Sequence, residues 1–255
     1  INDLSLHFIY KKGKSSNSLP LLISHGWPGS FIEFNKIIGP LTNPKKYGLN
    51  DEISFDLVIP SIPGFAFSEA PPEPFGPRKI AYYYNILMTK ILNYKSYIAQ
   101  GGDWGGAISS WLAYDYNNFC KAIHLNIMIM RDKNGTQTEE ESLWQKNFKK
   151  EQVLEEGYRS LQATKPQTLA FAMNENPVGV TAWILEKFHG WADLKNKRVL
   201  ELYSKDMLLT NIMIYLITNS FSTASWIYFG RRKEGGRIMN IEGKITTPTA
   251  CALFP

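Results

Sequence analysis

An aspartate at the centre of a glycine-lined turn is the side chain of this sequence best placed for covalent chemistry. Asp103 lies between Gly101-Gly102 and Gly105-Gly106, after the apolar run 97–100 and before a helical pattern. Small residues on both sides are what a nucleophile elbow requires, because its sharp strand-to-helix turn leaves no room for bulk. A carboxylate in that position attacks carbon by displacement and leaves an ester on the protein. The alternative is a structural aspartate in a glycine-rich loop.

The elements that must hold this turn alternate between short apolar runs and amphipathic stretches. The pattern predicts strands over 4–10, 19–24, 55–60, 96–100 and 122–130, and helices over 31–41, 79–92 and 105–116. Short apolar strands that alternate with helices favour a mostly parallel sheet covered on both faces. We therefore expect an α/β core in which Asp103 follows a buried strand.

The alternation of short apolar runs with amphipathic stretches ends near residue 131. From 138 to about 229 the sequence is helical, with no alternation typical of strands, and 247–254 again resembles a buried strand. We expect an α/β core over 1–135, an inserted helical cap over 136–240, and a return to the core over 241–255. The loop 235–244 is predicted to join the last two segments.

Composition narrows the classes of function. The 255 residues are 44% hydrophobic and 20% charged, and the net charge of +5 comes from scattered Lys and Arg without a nucleic-acid-binding pattern. No apolar run reaches the roughly 20 residues that a membrane-spanning helix needs. Cys120 and Cys251 lack metal-ligand or CxxC spacing and are expected to be free thiols. The first residues show neither an initiator Met nor a signal sequence, so we expect a cytoplasmic chain that is shortened at both ends.

Several motifs along the chain point to one family. His25-Gly26-Trp27-Pro28-Gly29-Ser30, Pro63-Gly64-Phe65 and Gly101-Gly102-Asp103-Trp104-Gly105 resemble motifs of the α/β-hydrolase epoxide hydrolases. The stretches 164–168, 176–188, 206–211 and 248–255 are most similar to its microsomal-type branch. The resemblance covers nearly the whole chain and implies hydrolysis of an epoxide to a vicinal diol.

This resemblance assigns a role to five residues. It implies that Asp103 is the nucleophile, and that the backbone N–H groups of Trp27 and Trp104 form the oxyanion hole. It further implies that Tyr158 and Tyr228, from the cap, donate the proton to the opening epoxide. A phenol with a pKa of about 10 suits an incipient alkoxide. Trp104, Tyr158 and Tyr228 would also contact the substrate, although each of these aromatic residues could instead serve only packing.

The base of the second half-reaction is the part of the mechanism that the sequence does not supply. His7 and His25 precede the nucleophile, His124 lies in a predicted strand as a core residue, and His189 lies in the predicted cap. In the family the acid and the histidine follow the last of these core strands. We expect both to lie beyond residue 255, so that the chain as given hydrolyses its ester slowly. Asp132 is a weaker candidate for the acid.

Two other functions stay open at this stage. A haloalkane dehalogenase shares the Asp-Trp elbow but stabilises a halide instead of using paired tyrosines, and a catalytically dead hydrolase fold would only bind a ligand. A cap rich in Trp, Phe and Met suggests a small apolar epoxide as substrate. No cofactor, metal or nucleic acid is implied, and a homodimer is left open.

Overall fold

The computed structural model describes residues 1, 3–49, 53–153, 155–252 and 254. Contacts within the chain divide it into two compact units. The first comprises Ile1–Glu73, Pro77–Ile129 and Lys244–Pro255, and the second comprises Pro74–Gly76 and Met130–Gly243. The interpretation of these units as core and cap stays a prediction.

A central sheet organises the first unit. Its described strands are β1 (Phe8–Lys11), β2 (Ser18–Ser24), β3 (Ser54–Pro60), β4 (Tyr97–Gly101), β5 (Cys120–Leu125) and, late in the chain, β8 (Thr249–Cys251). Their order in the sheet is β1-β3-β2-β4-β5-β8. Strand β1 pairs antiparallel with β3, and the other neighbouring strands are parallel. The carboxyl ends of β2 and β4 therefore lie side by side at one edge, where Ser24 pairs with Gly101.

The centre of the sheet is apolar because its strands are covered on both faces. Leu22, Leu57, Val58, Ile59 and Ala99 expose none of their surface. The helices of this unit are α1 (Asn35–Thr42), α2 (Pro77–Ile86) and α3 (Trp104–Asp115), with 3-10 turns at Phe31–Phe34 and Pro44–Tyr47 and a π turn at Leu87–Ile91. Helix α3 packs against β4 and β5, and α1 packs against β3.

Among its described residues, the second unit is helical apart from one short strand pair. Its helices are α4 (Glu139–Gln152), α5 (Gly157–Thr164), α6 (Pro166–Met173), α7 (Pro177–Gly190), α8 (Val199–Leu202), α9 (Lys205–Ile217), α10 (Phe221–Ala224) and α11 (Trp226–Lys233). Strands β6 (Arg131–Asp132) and β7 (Ile238–Met239) pair in parallel. Helix α5 packs on α11, and α7 packs on α9. Val180, Ile184, Ile212 and Tyr215 form part of its buried interior.

The sequence-based prediction is wrong at several element boundaries. The strand predicted over 4–10 begins only at Phe8, and the one predicted over 122–130 ends at Leu125. After Leu125 the neighbouring strand β8 has no further partner residue, and Ile127 and Met128 are exposed although they are apolar. Strand β7 lies within the predicted loop 235–244. Two residues are too few to show a strand period.

The predicted helices differ from the observed ones mainly at their ends. Helix α1 is preceded by a 3-10 turn, and α2 continues into the π turn, so neither is one uninterrupted α-helix. Both cysteines are free, as predicted: Cys120 is buried and Cys251 is exposed. Within the described ranges, none of the helices combines the length and the apolar character that crossing a membrane would require.

Candidate active site

The turn between β4 and α3 holds Asp103 in a strained backbone conformation. Its φ of 49° and ψ of −125° place a non-glycine residue at positive φ, where side-chain and backbone atoms crowd each other. The flanking glycines allow a very close approach of the chain. A Cβ at Gly101 would lie 2.0 Å from the carbonyl oxygen of Gly105, and one at Gly105 would lie 2.0 Å from that of Ser24. The geometry is that of a nucleophile elbow.

The loop after β2 holds the carboxylate of Asp103. The backbone N–H of Trp27 donates a hydrogen bond of 2.8 Å to Oδ1 of Asp103. A Cβ at Gly26 would lie 2.1 Å from the same oxygen, so the loop reaches the carboxylate only because residue 26 is glycine. Trp104 is the first residue of α3, where backbone N–H groups have no acceptor within the helix. The side chains of Trp27 and Trp104 are buried.

His25 supports this loop and is not arranged as a base. The backbone N–H of Ile62 donates to its Nε2 at 3.1 Å, so Nδ1 carries the proton and donates to the carbonyl oxygen of Gly26 at 3.1 Å. The pKa of His25 is lowered to about 4, chiefly by burial and to a lesser extent by His7, against the opposing effect of its hydrogen bond to Gly26. A neutral imidazole with both nitrogens occupied stabilises the loop that carries the Trp27 amide.

A second carboxyl group near Asp103 was not foreseen from the sequence. Glu33 lies in the 3-10 turn Phe31–Phe34, and a Cβ at Gly29 would lie 2.3 Å from its Oε2. Although Glu33 as a whole residue is exposed to solvent, desolvation of its carboxyl group and then the negative charge of Asp103 raise the pKa of Glu33 to about 8. Glu33 is therefore protonated at neutral pH. The only sequence signal is Gly29, whose missing side chain leaves room for the carboxyl.

The two predicted tyrosines meet in the second unit. Tyr158 on α5 and Tyr228 on α11 have ring centroids 5.9 Å apart at an interplanar angle of 83°. Tyr228 is buried, and Tyr158 is partly buried. These residues are 70 positions apart in the sequence and are brought together because α5 packs on α11.

The remaining candidates are less well placed for chemistry. Asp132 is exposed on β6 of the second unit, where its Oδ1 accepts a hydrogen bond of 2.7 Å from the N–H of Asn134. His124 on β5 is only partly buried, which corrects its prediction as a core residue. Among the described residues, no group of three or more His, Cys, Asp or Glu side chains could hold a metal ion.

Comparison with known proteins identifies the fold family of the chain. Residues 20–172 match the family described as "alpha/beta hydrolase fold". The chain belongs to the α/β-hydrolase fold family. Within that family its similarity is to the epoxide hydrolases, and residues 1–34 match the description "Epoxide hydrolase N terminus". The predicted fold class, a mostly parallel α/β-hydrolase sheet with helices, is thereby confirmed.

Individual relatives of this α/β-hydrolase chain are named as epoxide hydrolases. It is 36% identical over 285 residues to epoxide hydrolase 1 of Sus scrofa, which covers 100% of this chain and 62% of the relative. It is 34% identical over 281 residues to juvenile hormone epoxide hydrolase 1 of Ctenocephalides felis, with coverage of 100% and 60%. The chain therefore spans less than two thirds of the length of these relatives.

Solved structures of epoxide hydrolases have the same fold as this α/β-hydrolase chain. The juvenile hormone epoxide hydrolase of the silkworm Bombyx mori superimposes with a TM-score of 0.84 at 29% identity, over 99% of this chain and 65% of that one. The epoxide hydrolase of Aspergillus niger superimposes with a TM-score of 0.79 at 27% identity, over 100% and 64%.

Proposed function

We propose that this chain carries out epoxide hydrolysis through an ester formed on Asp103. The single observation that carries the proposal is the Trp27 N–H bond to Oδ1 of Asp103 at a strained elbow. Because Oδ1 is already held by this donor, Oδ2 is the oxygen that attacks the epoxide carbon. As the new C–O bond forms, the epoxide C–O bond breaks and its electron pair stays on the departing oxygen.

The departing oxygen needs a proton, since an alkoxide is a poor leaving group near neutral pH. We assign this role to the phenol groups of Tyr158 and Tyr228. Their ring centroids lie 5.9 Å apart in the second unit. This proximity supports the assignment, because two neighbouring donors can share one alkoxide oxygen. The phenol O–H bond breaks, the proton passes to the alkoxide, and the phenolate later regains a proton from solvent.

In the second half-reaction, water attacks the ester carbonyl carbon and releases the diol. The negative charge then develops on Oδ1, where the N–H groups of Trp27 and Trp104 are assigned as donors. We assign no base to this step, and His25 is not a candidate because both of its ring nitrogens are occupied. We further propose that the ester persists long enough to be trapped.

Two substitutions, and a comparison of an epoxide with a bromoalkane as substrate, test this proposal. With styrene oxide the chain should form an ester on Asp103, and Tyr158→Phe and Tyr228→Phe should each slow its formation about 100-fold, the usual contribution of a positioned acid. The rate of ester formation is followed by rapid acid quench and mass spectrometry. A haloalkane dehalogenase, the alternative function, would react with a bromoalkane instead and keep its rate in both variants.

A further inference from the structure

A buried lysine lies beside one of the two tyrosines. Lys187 on α7 exposes only 6% of its surface. Its Nζ lies 4.6 Å from the ring centroid of Tyr158 and 5.5 Å from that of Trp191. A buried ammonium is costly unless charged or aromatic partners compensate it. The position of Lys187 therefore needs an explanation.

Two carboxylates and an indole complete the surroundings of this ammonium. Nζ of Lys187 lies 3.3 Å from Oε2 of Glu155 and 2.5 Å from Oε2 of Glu186. The same Oε2 of Glu155 accepts a hydrogen bond of 3.0 Å from Nε1 of Trp191. The rings of Tyr158 and Trp191 are 5.2 Å apart. These five residues, which we call the Lys187 cluster, fix one another.

The ring of Tyr158 is contacted from two helices. Lys187 on α7 and Trp191, which directly follows α7, contact it as members of the cluster, whereas Tyr228 contacts it from α11. The ion pair of Arg159 with Glu156 is the other charged feature near Tyr158 on its own helix. A ring contacted in this way loses rotational freedom, which favours a fixed direction of its O–H group.

We propose that Lys187 is a positioning residue that acts through Tyr158. The cation over the ring face, and Trp191 held by its hydrogen bond to Glu155, fix the direction of the Tyr158 ring and of its O–H group. The carboxylates of Glu155 and Glu186 compensate the buried ammonium and keep it in place over the ring. This inference rests on the proposed role of Tyr158 as a proton donor.

A double-mutant cycle tests the inference. Lys187→Met should slow ester formation with styrene oxide roughly tenfold, as expected for loss of a desolvated cation–π contact. Lys187→Arg, which retains the cation, should recover most of the rate. In a Tyr158→Phe background, Lys187→Met should have no further effect, because the group through which it acts is gone. Lys205→Met, which removes an exposed lysine on α9, is the matched control.

The outcomes separate this inference from the proposed function. If Tyr158→Phe keeps the parental rate, the role of Tyr158 as acid fails. If Tyr158→Phe is slow but Lys187→Met slows it equally in both backgrounds, Tyr158 is the acid and the positioning role of Lys187 is wrong. Should Lys187→Met fail to fold by circular dichroism, Trp191→Phe replaces it in the cycle. That variant keeps an aromatic ring but loses the hydrogen bond to Glu155, and its loss of rate must likewise vanish with Tyr158→Phe.

Discussion

Two carboxyl groups lie beside the loop that follows β2: Asp103, from the turn after β4, and Glu33, from the 3-10 turn Phe31–Phe34. Asp103 accepts a hydrogen bond from the N–H of Trp27, whereas burial of the Glu33 carboxyl group and then the negative charge of Asp103 raise the pKa of Glu33 to about 8. A neutral Glu33 beside Asp103 avoids the repulsion of two anions. In the ester that we propose on Asp103 this negative charge is absent, so one cause of the raised pKa of Glu33 would be absent as well.

The pKa of Glu33 predicts how stability depends on pH. In the unfolded chain the carboxyl ionises near its ordinary value of 4.5, whereas in the folded protein its pKa is raised to about 8. Between these values the unfolded state loses a proton that the folded state keeps, so this group lowers stability as pH rises from 4.5 to 8. Glu33→Gln removes this titrating group. The free energy of unfolding of the variant, relative to that of the parent, should therefore rise by on the order of 1 kcal/mol between pH 4.5 and pH 8, a value reduced for solvent screening.

Urea unfolding of both proteins between pH 5 and pH 8 measures this difference. Glu175→Gln, which removes an exposed glutamate, is the control and should show a constant difference at every pH. A constant difference for Glu33→Gln as well would contradict the raised pKa.

At the level of secondary structure, the site depends on the close approach of the backbones of β2, β4 and α3, with no side chains between them. The ends of β2 and β4 are adjacent in the sheet, and α3 begins at once after Asp103. Gly105 lets the first turn of α3 approach Ser24 of β2. The strained φ of Asp103 persists because these neighbours leave the turn no alternative path.

Two glycines of this turn are predicted to differ sharply in how much a substitution by alanine destabilises the fold. A Cβ at Gly105 meets backbone at 2.0 Å, whereas one at Gly102 has only side-chain atoms of Asn126 at 3.5 Å and beyond. Gly105→Ala should therefore lower the free energy of unfolding by about 3 kcal/mol or prevent folding, while Gly102→Ala should change it by less than about 1 kcal/mol. Thermal and urea unfolding provide the comparison, and equal losses in the two variants would contradict the close packing at Gly105.

For the molecule as a whole, the features that can be predicted from the sequence are those set by short stretches of neighbouring residues. Apolar runs between helical stretches predicted the buried strands β2, β3 and β4, and the small residues around Asp103 predicted the elbow. The pattern did not predict where β5 ends, because the apolar run 127–130 leaves the sheet when pairing with β8 stops.

Other features arise only when distant segments meet. The coupling of Glu33 to Asp103 depends on how two loops pack, and no spacing in the sequence reports it. The Lys187 cluster likewise joins the segment before α5 to the end of α7. Tyr158 and Tyr228 were named from a family resemblance, and packing of α5 on α11 brings their rings together.

The most direct test of the ester mechanism is the mass of the peptide that contains Asp103 after reaction with styrene oxide. The chain is quenched in acid within one turnover and digested, and the peptide is fragmented to locate the modification. We expect a mass gain equal to the whole epoxide, located on Asp103 and absent in Asp103→Asn. Formation of diol while this peptide stays unmodified, with every added diol oxygen coming from labelled water in the first turnover, would contradict the mechanism.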